Sequence, residues 1–218
     1  MRPVAELLHE TFGYTCVGPL LPGHGTTPEE LDHTTVEDWL ECARAEYQKL
    51  SKEYVRVHVA GLSAGGLLCI DLMLQYSEIA SAVLLAPAIS LRGMQKHIMH
   101  AFRHIPLPEF YFGIPKPPSL IPEHIAYRFY PLRATQQFGL LQSRTKKNLR
   151  PIHIPTLTIY SAADDTIDDG EIEKIIPFFS SPESRVMKLS RAEHILTQSC
   201  EKKTVLDTIV AFHRSLRI

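Results

Sequence analysis

Residues 55–65 read Val-Arg-Val-His-Val-Ala-Gly-Leu-Ser-Ala-Gly, and an apolar stretch with helical spacing follows at once. The alternating β-branched residues predict a strand, and the apolar stretch predicts a helix over 64–76. A sharp turn between them holds Ser63 in a strained backbone conformation, which leaves little room for a side chain two positions before or after it. Gly61 and Gly65 meet that requirement.

A serine on such a turn projects from the end of a sheet. The first backbone N–H groups of the following helix then point toward any negative charge that forms beside it. The pentapeptide Gly-x-Ser-x-Gly alone is a weak signal, but its place between a strand and a helix makes it informative. The pattern favours Ser63 as a nucleophile, and the alternative is an ordinary glycine-rich connection.

Composition limits the classes of partner. The chain has 218 residues, 44% of them hydrophobic, and a formal net charge of −1. A chain of this length can bury the core of one domain. Because the net charge is close to zero, and the one short basic run lies at 144–150, we expect no nucleic acid partner. No apolar run approaches the length of a membrane span, so we expect no stable membrane insertion.

The four cysteines show no Cys-x-x-Cys spacing, and three of them lie in apolar stretches. This pattern predicts reduced, mostly buried thiols in a cytoplasmic protein. The first ten residues include two glutamates and no long apolar core, which argues against a cleaved secretion signal.

Helical and strand patterns alternate through the first 86 residues. A capping box of Thr34 and Glu37 is expected to open one of the helices. An alternation of this kind predicts a parallel sheet covered by helices. The predicted elements are a helix over 3–12, a strand over 14–18, a helix from Thr34 to about Leu50, a strand from Val55 to about Ala60, the helix 64–76 and a strand over 81–86.

The alternation fails between residues 87 and 154. This segment has six prolines between Pro106 and Pro122, many aromatic residues, and short helical patterns over 95–104 and 123–129. We interpret it as a cap inserted over the sheet of a single domain that spans 1–218. The alternation then resumes, with predicted strands over 156–161 and 185–190 and predicted helices over 170–178 and 204–216.

Candidate partners for Ser63 follow two of the later strands. A serine hydroxyl needs a base, and the base needs an acid to orient it. Asp164 lies just after the strand 156–161, and His194 lies just after the strand 185–190. Both positions fit the chain order Ser, Asp, His that accompanies this turn.

Non-catalytic roles are alternatives to these assignments. Asp165, Asp168 and Asp169 are alternatives to Asp164, and the whole acidic cluster could be a solvated loop that caps the next helix. The chain has eleven histidines, and a histidine on a surface loop needs no function. His24, in Pro-Gly-His-Gly, is better explained as a structural turn residue than as a catalytic one.

Together these motifs resemble the α/β-hydrolase superfamily. Within it, the chain is most similar to bacterial carboxylesterases and monoacylglycerol lipases, and the resemblance covers nearly all of the sequence except the cap. The segments that carry it are the turn around Ser63, Leu-Pro-Gly-His-Gly-Thr-Thr-Pro-Glu-Glu-Leu at 21–31, Thr-Thr-Val-Glu-Asp-Trp at 34–39, Pro-Thr-Leu-Thr-Ile-Tyr-Ser-Ala-Ala-Asp-Asp at 155–165 and Glu-His at 193–194.

The resemblance implies hydrolysis of small to medium acyl esters or monoglycerides through an acyl-enzyme. Ser63 would attack, His194 would carry the proton, Asp164 would orient the imidazole, and the backbone N–H of Ala64 would be one oxyanion donor. It implies a small-molecule acyl ester as partner and no metal or organic cofactor. Four side chains are candidates for the acyl-binding site: Leu62, Phe110, Phe112 and Ile195.

Two departures from the family pattern affect the expected activity. Family members have a strand before the first helix that ends in a His-Gly loop and supplies a second oxyanion N–H, whereas this sequence starts almost directly in that helix. Gly23-His24-Gly25 matches a different turn of the pattern. We therefore expect a longer natural protein, a truncated product or weak activity. Glu193 also stands where a glycine usually precedes the histidine.

Two other functions remain open at this level. One is a non-catalytic or weakly active hydrolase-fold protein that binds a ligand. The other is a thioesterase, amidase or peptidase that uses the same fold and the same nucleophile, because apolar residues in a cap suit any acyl chain.

Overall fold

The computed structural model describes residues 1–93, 127 and 131–216 with their side chains, and 113–115 and 129–130 by their backbone alone. Helices and strands alternate through the described parts of the chain. In chain order they are α1 Arg2–Phe12, α2 Pro28–Asp32, α3 Val36–Glu53, β1 His58–Leu62, α4 Ala64–Gln75, β2 Ser81–Leu85, β3 Gly113–Pro115, β4 Phe129–Pro131, α5 Leu132–Asn148, β5 Thr156–Ser161, α6 Asp169–Ile175, β6 Arg185–Leu189 and α7 Lys202–Ser215, with 3₁₀ turns at Ile176–Phe178 and Leu196–Gln198.

Four strands form one parallel sheet in the order β1-β2-β5-β6, and β3 and β4 form a separate antiparallel pair. Leu62 lies level with Leu85, which lies level with Ile159. Ser161 in turn pairs with Leu189. The chain therefore leaves β1, β5 and β6 at the same end of the sheet, which brings three loops from distant parts of the sequence together.

Each face of the sheet buries its own core, because successive side chains of a strand point to opposite faces. Ala82 and Leu84 of β2 pack against α3, α4, α5 and α6. Val83 and Leu85 pack on the other face against α1 and α7. This arrangement confirms the predicted mostly parallel sheet with helices on both faces.

The strand predicted over 14–18 is wrong. These residues pair with no strand among the described residues, and Val17 is 47% exposed. A β-branched pattern favours an extended chain, but a strand forms only where a neighbouring strand accepts its backbone hydrogen bonds. The described sheet ends at β1, where Ala60 is exposed.

Several element boundaries also differ from the predictions. The capping box at the start of α3 is Thr35 with Asp38, one residue beyond the predicted Thr34 and Glu37. Asp38 donates its backbone N–H to Thr35 Oγ1 at 3.2 Å, and Thr35 donates its own to Asp38 Oδ2 at 2.7 Å. The strand β1 starts at His58, where its pairing with β2 begins, and Val55 before it is fully exposed.

Helix α5 was not predicted, although it lies within the segment interpreted as a cap. The backbone N–H groups of Arg133 and Ala134 donate to the buried Asp32 at 2.7 and 3.3 Å. The residue that caps α5 is thus about a hundred positions away in sequence, where no local pattern reveals it. Leu141 of α5 joins the same core as α3 and α4, and the assignment of 87–154 as a cap stays a prediction.

The four thiols are free, as predicted, but their expected burial is wrong for two of them. Cys16 and Cys200 are exposed, and Cys69 in α4 is buried. Burial raises the pKa of the Cys69 thiol to about 12, which makes it unreactive at neutral pH. Among the helices of the described residues, none is long and apolar enough to cross a membrane.

Two histidine rings lie close together where β1 begins, one from β1 and one from α7. The imidazole of His213 lies 5.2 Å from that of His58, and the ring of Tyr14 lies 5.3 Å from His58 and 5.7 Å from His213. His213 is buried, and its Nδ1 has no hydrogen-bond partner among the described residues. Burial, with a further contribution from His58, lowers the pKa of His213 to about 4. The native state therefore holds this imidazole neutral.

We predict that His213→Leu flattens the pH dependence of the free energy of unfolding between pH 6.5 and 4. In this range His213 binds a proton in the unfolded chain but stays neutral in the native state. The free energy of unfolding of the wild type therefore falls as the pH falls. Urea unfolding at pH 7 and pH 5 measures the effect. His33→Leu, at an exposed histidine, is the matched control, and equal pH slopes for the two variants would contradict the prediction.

The junction of β1 and α4 depends on a close approach of two backbone segments. A Cβ on Gly61 would lie 2.2 Å from the carbonyl oxygen of Gly65, whereas a Cβ on Gly65 would meet nothing within 4 Å. The sequence interpretation was therefore right for Gly61 and wrong for Gly65. The backbone of Gly65 and Gly66 fills the space beside the Cα of Gly61, so the steric requirement falls on position 61 alone.

We predict that Gly61→Ala lowers the free energy of unfolding by about 1–3 kcal/mol, because the added methyl group must push two backbone segments apart. Gly65→Ala is the matched control. It adds the same methyl group in open space inside a helix, where alanine is favoured over glycine by up to about 1 kcal/mol. Urea unfolding of both variants checks the difference, and equal losses would refute it.

Candidate active site

Ser63 occupies the turn between β1 and α4 with φ 56° and ψ −116°. A positive φ is rare for a residue with a side chain, and such strain persists only where the surroundings hold it. Here Ser63 donates its backbone N–H to Leu85 O at 2.9 Å. Its carbonyl oxygen accepts from Gly66 N at 3.0 Å and Ala88 N at 3.1 Å. The predicted strained turn is confirmed.

Asp164 lies in the loop after β5 and is only 2% exposed. Its Oδ1 accepts the backbone N–H groups of Thr166 at 2.8 Å and Ile167 at 3.0 Å. This leaves Oδ2 free to face the loop after β6. Burial alone would raise the pKa of Asp164, but the hydrogen bond and charge of His194, together with the two amides, outweigh it and hold the pKa below its ordinary value.

The other aspartates of this loop have different tasks. Asp165 is exposed and accepts from the hydroxyl of Thr166 at 3.1 Å. Asp168 caps the start of α6 by accepting the backbone N–H of Glu171. Asp169 forms ion pairs with Arg92 and Lys188. Of this group, Asp164 is the one that faces the histidine of the next loop.

His194 lies in the loop after β6 and connects the other two residues. Its Nδ1 lies 2.8 Å from Asp164 Oδ2, and its Nε2 lies 2.9 Å from Ser63 Oγ. With a proton on Nδ1, which donates to the carboxylate, Nε2 can accept the proton of the serine hydroxyl. The arrangement can activate a serine and return the proton to a leaving group.

The remaining candidates lie around this line of atoms. Ala64 is the first residue of α4, so its N–H has no acceptor within that helix and lies beside the nucleophile. Leu62 and Ile195 flank Ser63 and His194 in sequence, and both are partly buried. Phe110 and Phe112 lie outside the described residues.

Two further residues singled out in the sequence lie apart from the line of atoms. Glu193 points outward and accepts the backbone N–H of Cys200 at 3.3 Å. His24 is exposed, with its Nδ1 3.2 Å from Pro22 O and its ring edge-on to Trp39. Over the described part of the chain, no three His, Cys, Asp or Glu side chains come together in a way that could hold a metal ion.

Sequence reasoning missed the groups that hold the serine backbone. Leu85 and Ala88 act through main-chain atoms, which any residue type would supply, so no sequence signal identifies them. Gln142 of α5 donates from Nε2 to Ala88 O at 2.7 Å. The segment that holds Ser63 is thus itself held by the helix that the sequence did not reveal.

The chain is similar in sequence to known proteins. The sequence model of the alpha/beta hydrolase family matches residues 1–200. A thermostable monoacylglycerol lipase of Bacillus sp. (strain H-257) is 27% identical over 215 residues, which are 97% of this chain and 84% of that protein. A carboxylesterase of Bacillus subtilis (strain 168) is 25% identical over 219 residues, which are 99% of this chain and 87% of that protein.

The fold has solved counterparts. A structure from work on LipS and LipT, two metagenome-derived lipolytic enzymes, superposes with a TM-score of 0.86 and 26% identity, over 98% of this chain and 87% of that one. The family match covers most of the sequence, and the structural match covers nearly all of it. The chain therefore belongs to the alpha/beta hydrolase family.

Proposed function

We propose that this protein is a carboxylic ester hydrolase that works by acyl transfer, with Ser63 as nucleophile, His194 as general base and acid, and Asp164 as the orienting carboxylate. The observation that carries the proposal is the unbroken line from Ser63 Oγ to His194 Nε2 at 2.9 Å and from His194 Nδ1 to Asp164 Oδ2 at 2.8 Å. The relatives named above, a monoacylglycerol lipase and a carboxylesterase, support ester hydrolysis in general.

The first half of the reaction transfers the acyl group. Ser63 Oγ attacks the ester carbonyl carbon as His194 Nε2 takes its proton, and the carbonyl oxygen becomes an oxyanion. The N–H of Ala64 at the start of α4 donates to that oxygen, and the helix N-terminus favours the same negative charge. When the carbonyl re-forms, the alkoxide leaves and takes the proton from His194.

The second half repeats these steps with water. His194 takes a proton from a water molecule, the oxygen of that water attacks the acyl-enzyme carbonyl, and Ser63 recovers its proton as the carboxylic acid leaves. Asp164 stays ionised throughout, because the imidazole and two backbone amides stabilise its charge, and it stabilises the imidazolium that forms in each half-reaction.

The substrates we propose are small to medium acyl esters or monoglycerides. Leu62 and Ile195 adjoin the nucleophile and the base, and their partly buried apolar side chains suit an acyl chain. Phe110 and Phe112 stay sequence-based candidates for the same acyl site, and both lie outside the described residues. A cytoplasmic location stays a prediction, based on cysteines that show no Cys-x-x-Cys spacing and mostly lie in apolar stretches.

We expect Ser63→Ala to abolish hydrolysis of p-nitrophenyl butyrate above the uncatalysed background, because the hydroxyl that forms the acyl-enzyme is gone. A fluorophosphonate probe should label the wild type and fail to label the variant. Ser51→Ala, on the surface of α3, is the matched control and should keep wild-type turnover and labelling. Equal hydrolysis by wild type and Ser63→Ala would end the proposal.

The adjacent aspartates offer a second test. Asp164→Asn should lower kcat by about 10⁴-fold, because an amide at this position favours the wrong imidazole tautomer. Asp165→Asn changes the same type of residue one position later, on an exposed side chain, and should leave kcat within about twofold of wild type. Steady-state kinetics on one ester substrate compares the two. Comparable losses in both variants would show that the loop, rather than Asp164, is what matters.

A further inference from the structure

The chain that leaves β2 toward the inserted segment runs alongside the loop of Asp164. Asp168 donates its backbone N–H to Ser90 O at 3.0 Å, and Arg92 donates its backbone N–H to Thr166 O at 2.9 Å. Between these two bonds, Leu91 lies opposite Ile167 in an antiparallel bridge. A short two-stranded ladder between residues 90–92 and 166–168 therefore holds the loop that carries Asp164.

The peptide groups of this ladder are the ones that hold the carboxylate. The peptide between Thr166 and Ile167 donates its N–H to Asp164 Oδ1 at 3.0 Å, and its carbonyl oxygen accepts from Arg92 N. A displacement of this peptide would displace the carboxylate as well. The orientation of Asp164 is thus coupled to the position of Arg92.

The side chain of Arg92 extends this contact. Its Nε donates to Ile167 O at 3.3 Å, and its Nη2 donates to Asp169 Oδ1 at 2.6 Å. A planar guanidinium that donates to two acceptors fixes their relative position more closely than a single contact would. Asp169 is also held by Lys188 of β6 at 3.0 Å, so the acceptor is itself anchored to the sheet.

We propose that Arg92 is a positioning residue for the triad: it holds the 166–169 segment so that Asp164 keeps Oδ2 on His194. This inference rests on the proposed function, since it assigns Arg92 a role in the same reaction. Among the described residues, no hydrogen bond or ion pair joins Arg92 to a triad residue, and Arg92 acts through the loop that carries Asp164.

The test compares Arg92→Met and Arg92→Lys with the wild type. Arg92→Met keeps the length and apolar stem of the side chain and removes both hydrogen bonds, so kcat should fall about tenfold while KM stays unchanged. Arg92→Lys can restore one contact and should give an intermediate kcat. Arg185→Met is the matched control, because Arg185 is an exposed arginine that bonds to the carbonyl oxygens of Pro182 and Ser184 near the opposite end of β6.

A double-mutant cycle separates positioning from a general loss of stability. If Arg92 acts through Asp164, then Arg92→Met should cost nothing further in an Asp164→Asn background, measured as the rate of fluorophosphonate labelling. A tenfold loss in both backgrounds would overturn the inference, and so would an unchanged kcat in Arg92→Met. If Arg92→Met does not fold, Arg92→Lys is carried through the same cycle.

The proposed function fails by a different result. Turnover that survives Ser63→Ala would refute the acyl-enzyme on Ser63, whatever the behaviour of Arg92. Turnover that requires Ser63, together with a cycle that shows no coupling between positions 92 and 164, would leave the proposed function standing and remove the role of Arg92 alone.

Discussion

The parallel register of β1, β2, β5 and β6 is the constraint on which the rest of the structure depends. Ser63 and His194 are 131 residues apart, yet their side chains meet at 2.9 Å because the strands that precede them end at the same edge of the sheet. The register is fixed by backbone hydrogen bonds, so it does not depend on the identity of the loop residues. The loops then need only one short turn each to bring the three side chains together.

Two features of the site are unfavourable in free energy, and both lie at that edge of the sheet. A serine at φ 56° is strained by about 1–3 kcal/mol, and a carboxylate that is 2% exposed loses most of its hydration. The strain is held by the sheet through Leu85 O, and the buried charge of Asp164 is compensated by two amides and an imidazole. Both features are expensive in isolation and stable in this setting, which fits a site whose geometry is fixed before any ligand arrives.

Local sequence signals identified most of this arrangement. The strand-turn-helix pattern around Ser63 and the positions of Asp164 and His194 just after strands were readable because each signal spans fewer than about ten residues. Asp164 could be separated from Asp165, Asp168 and Asp169 only by the structure, since the difference lies in which carboxylate faces the neighbouring loop. The order of residues along the chain limits the candidate aspartates to this loop, and the direction in which each side chain points identifies the one that contacts His194.

The predictions that failed have the opposite character. The pattern at 14–18 suits a strand, but no neighbour in the described sheet pairs with it. Helix α5 was overlooked because its N-terminus is capped by Asp32 from a distant part of the chain. Gly65 looked as constrained as Gly61, but only one of the two faces a backbone. In each case the deciding interaction joins residues that the local pattern does not connect.

Two stretches of the 87–154 segment contact residues that support the proposed triad. Near its start, Arg92 donates its backbone N–H to Thr166 O, and the same peptide donates its N–H to Asp164 Oδ1. On the returning side, Gln142 of α5 donates to Ala88 O, and Ala88 N donates to Ser63 O. α5 is in turn fixed by Arg144, which forms ion pairs with Glu37 of α3 and Asp71 of α4. These contacts connect residues of the 87–154 segment to both the acid and the nucleophile of the proposed triad.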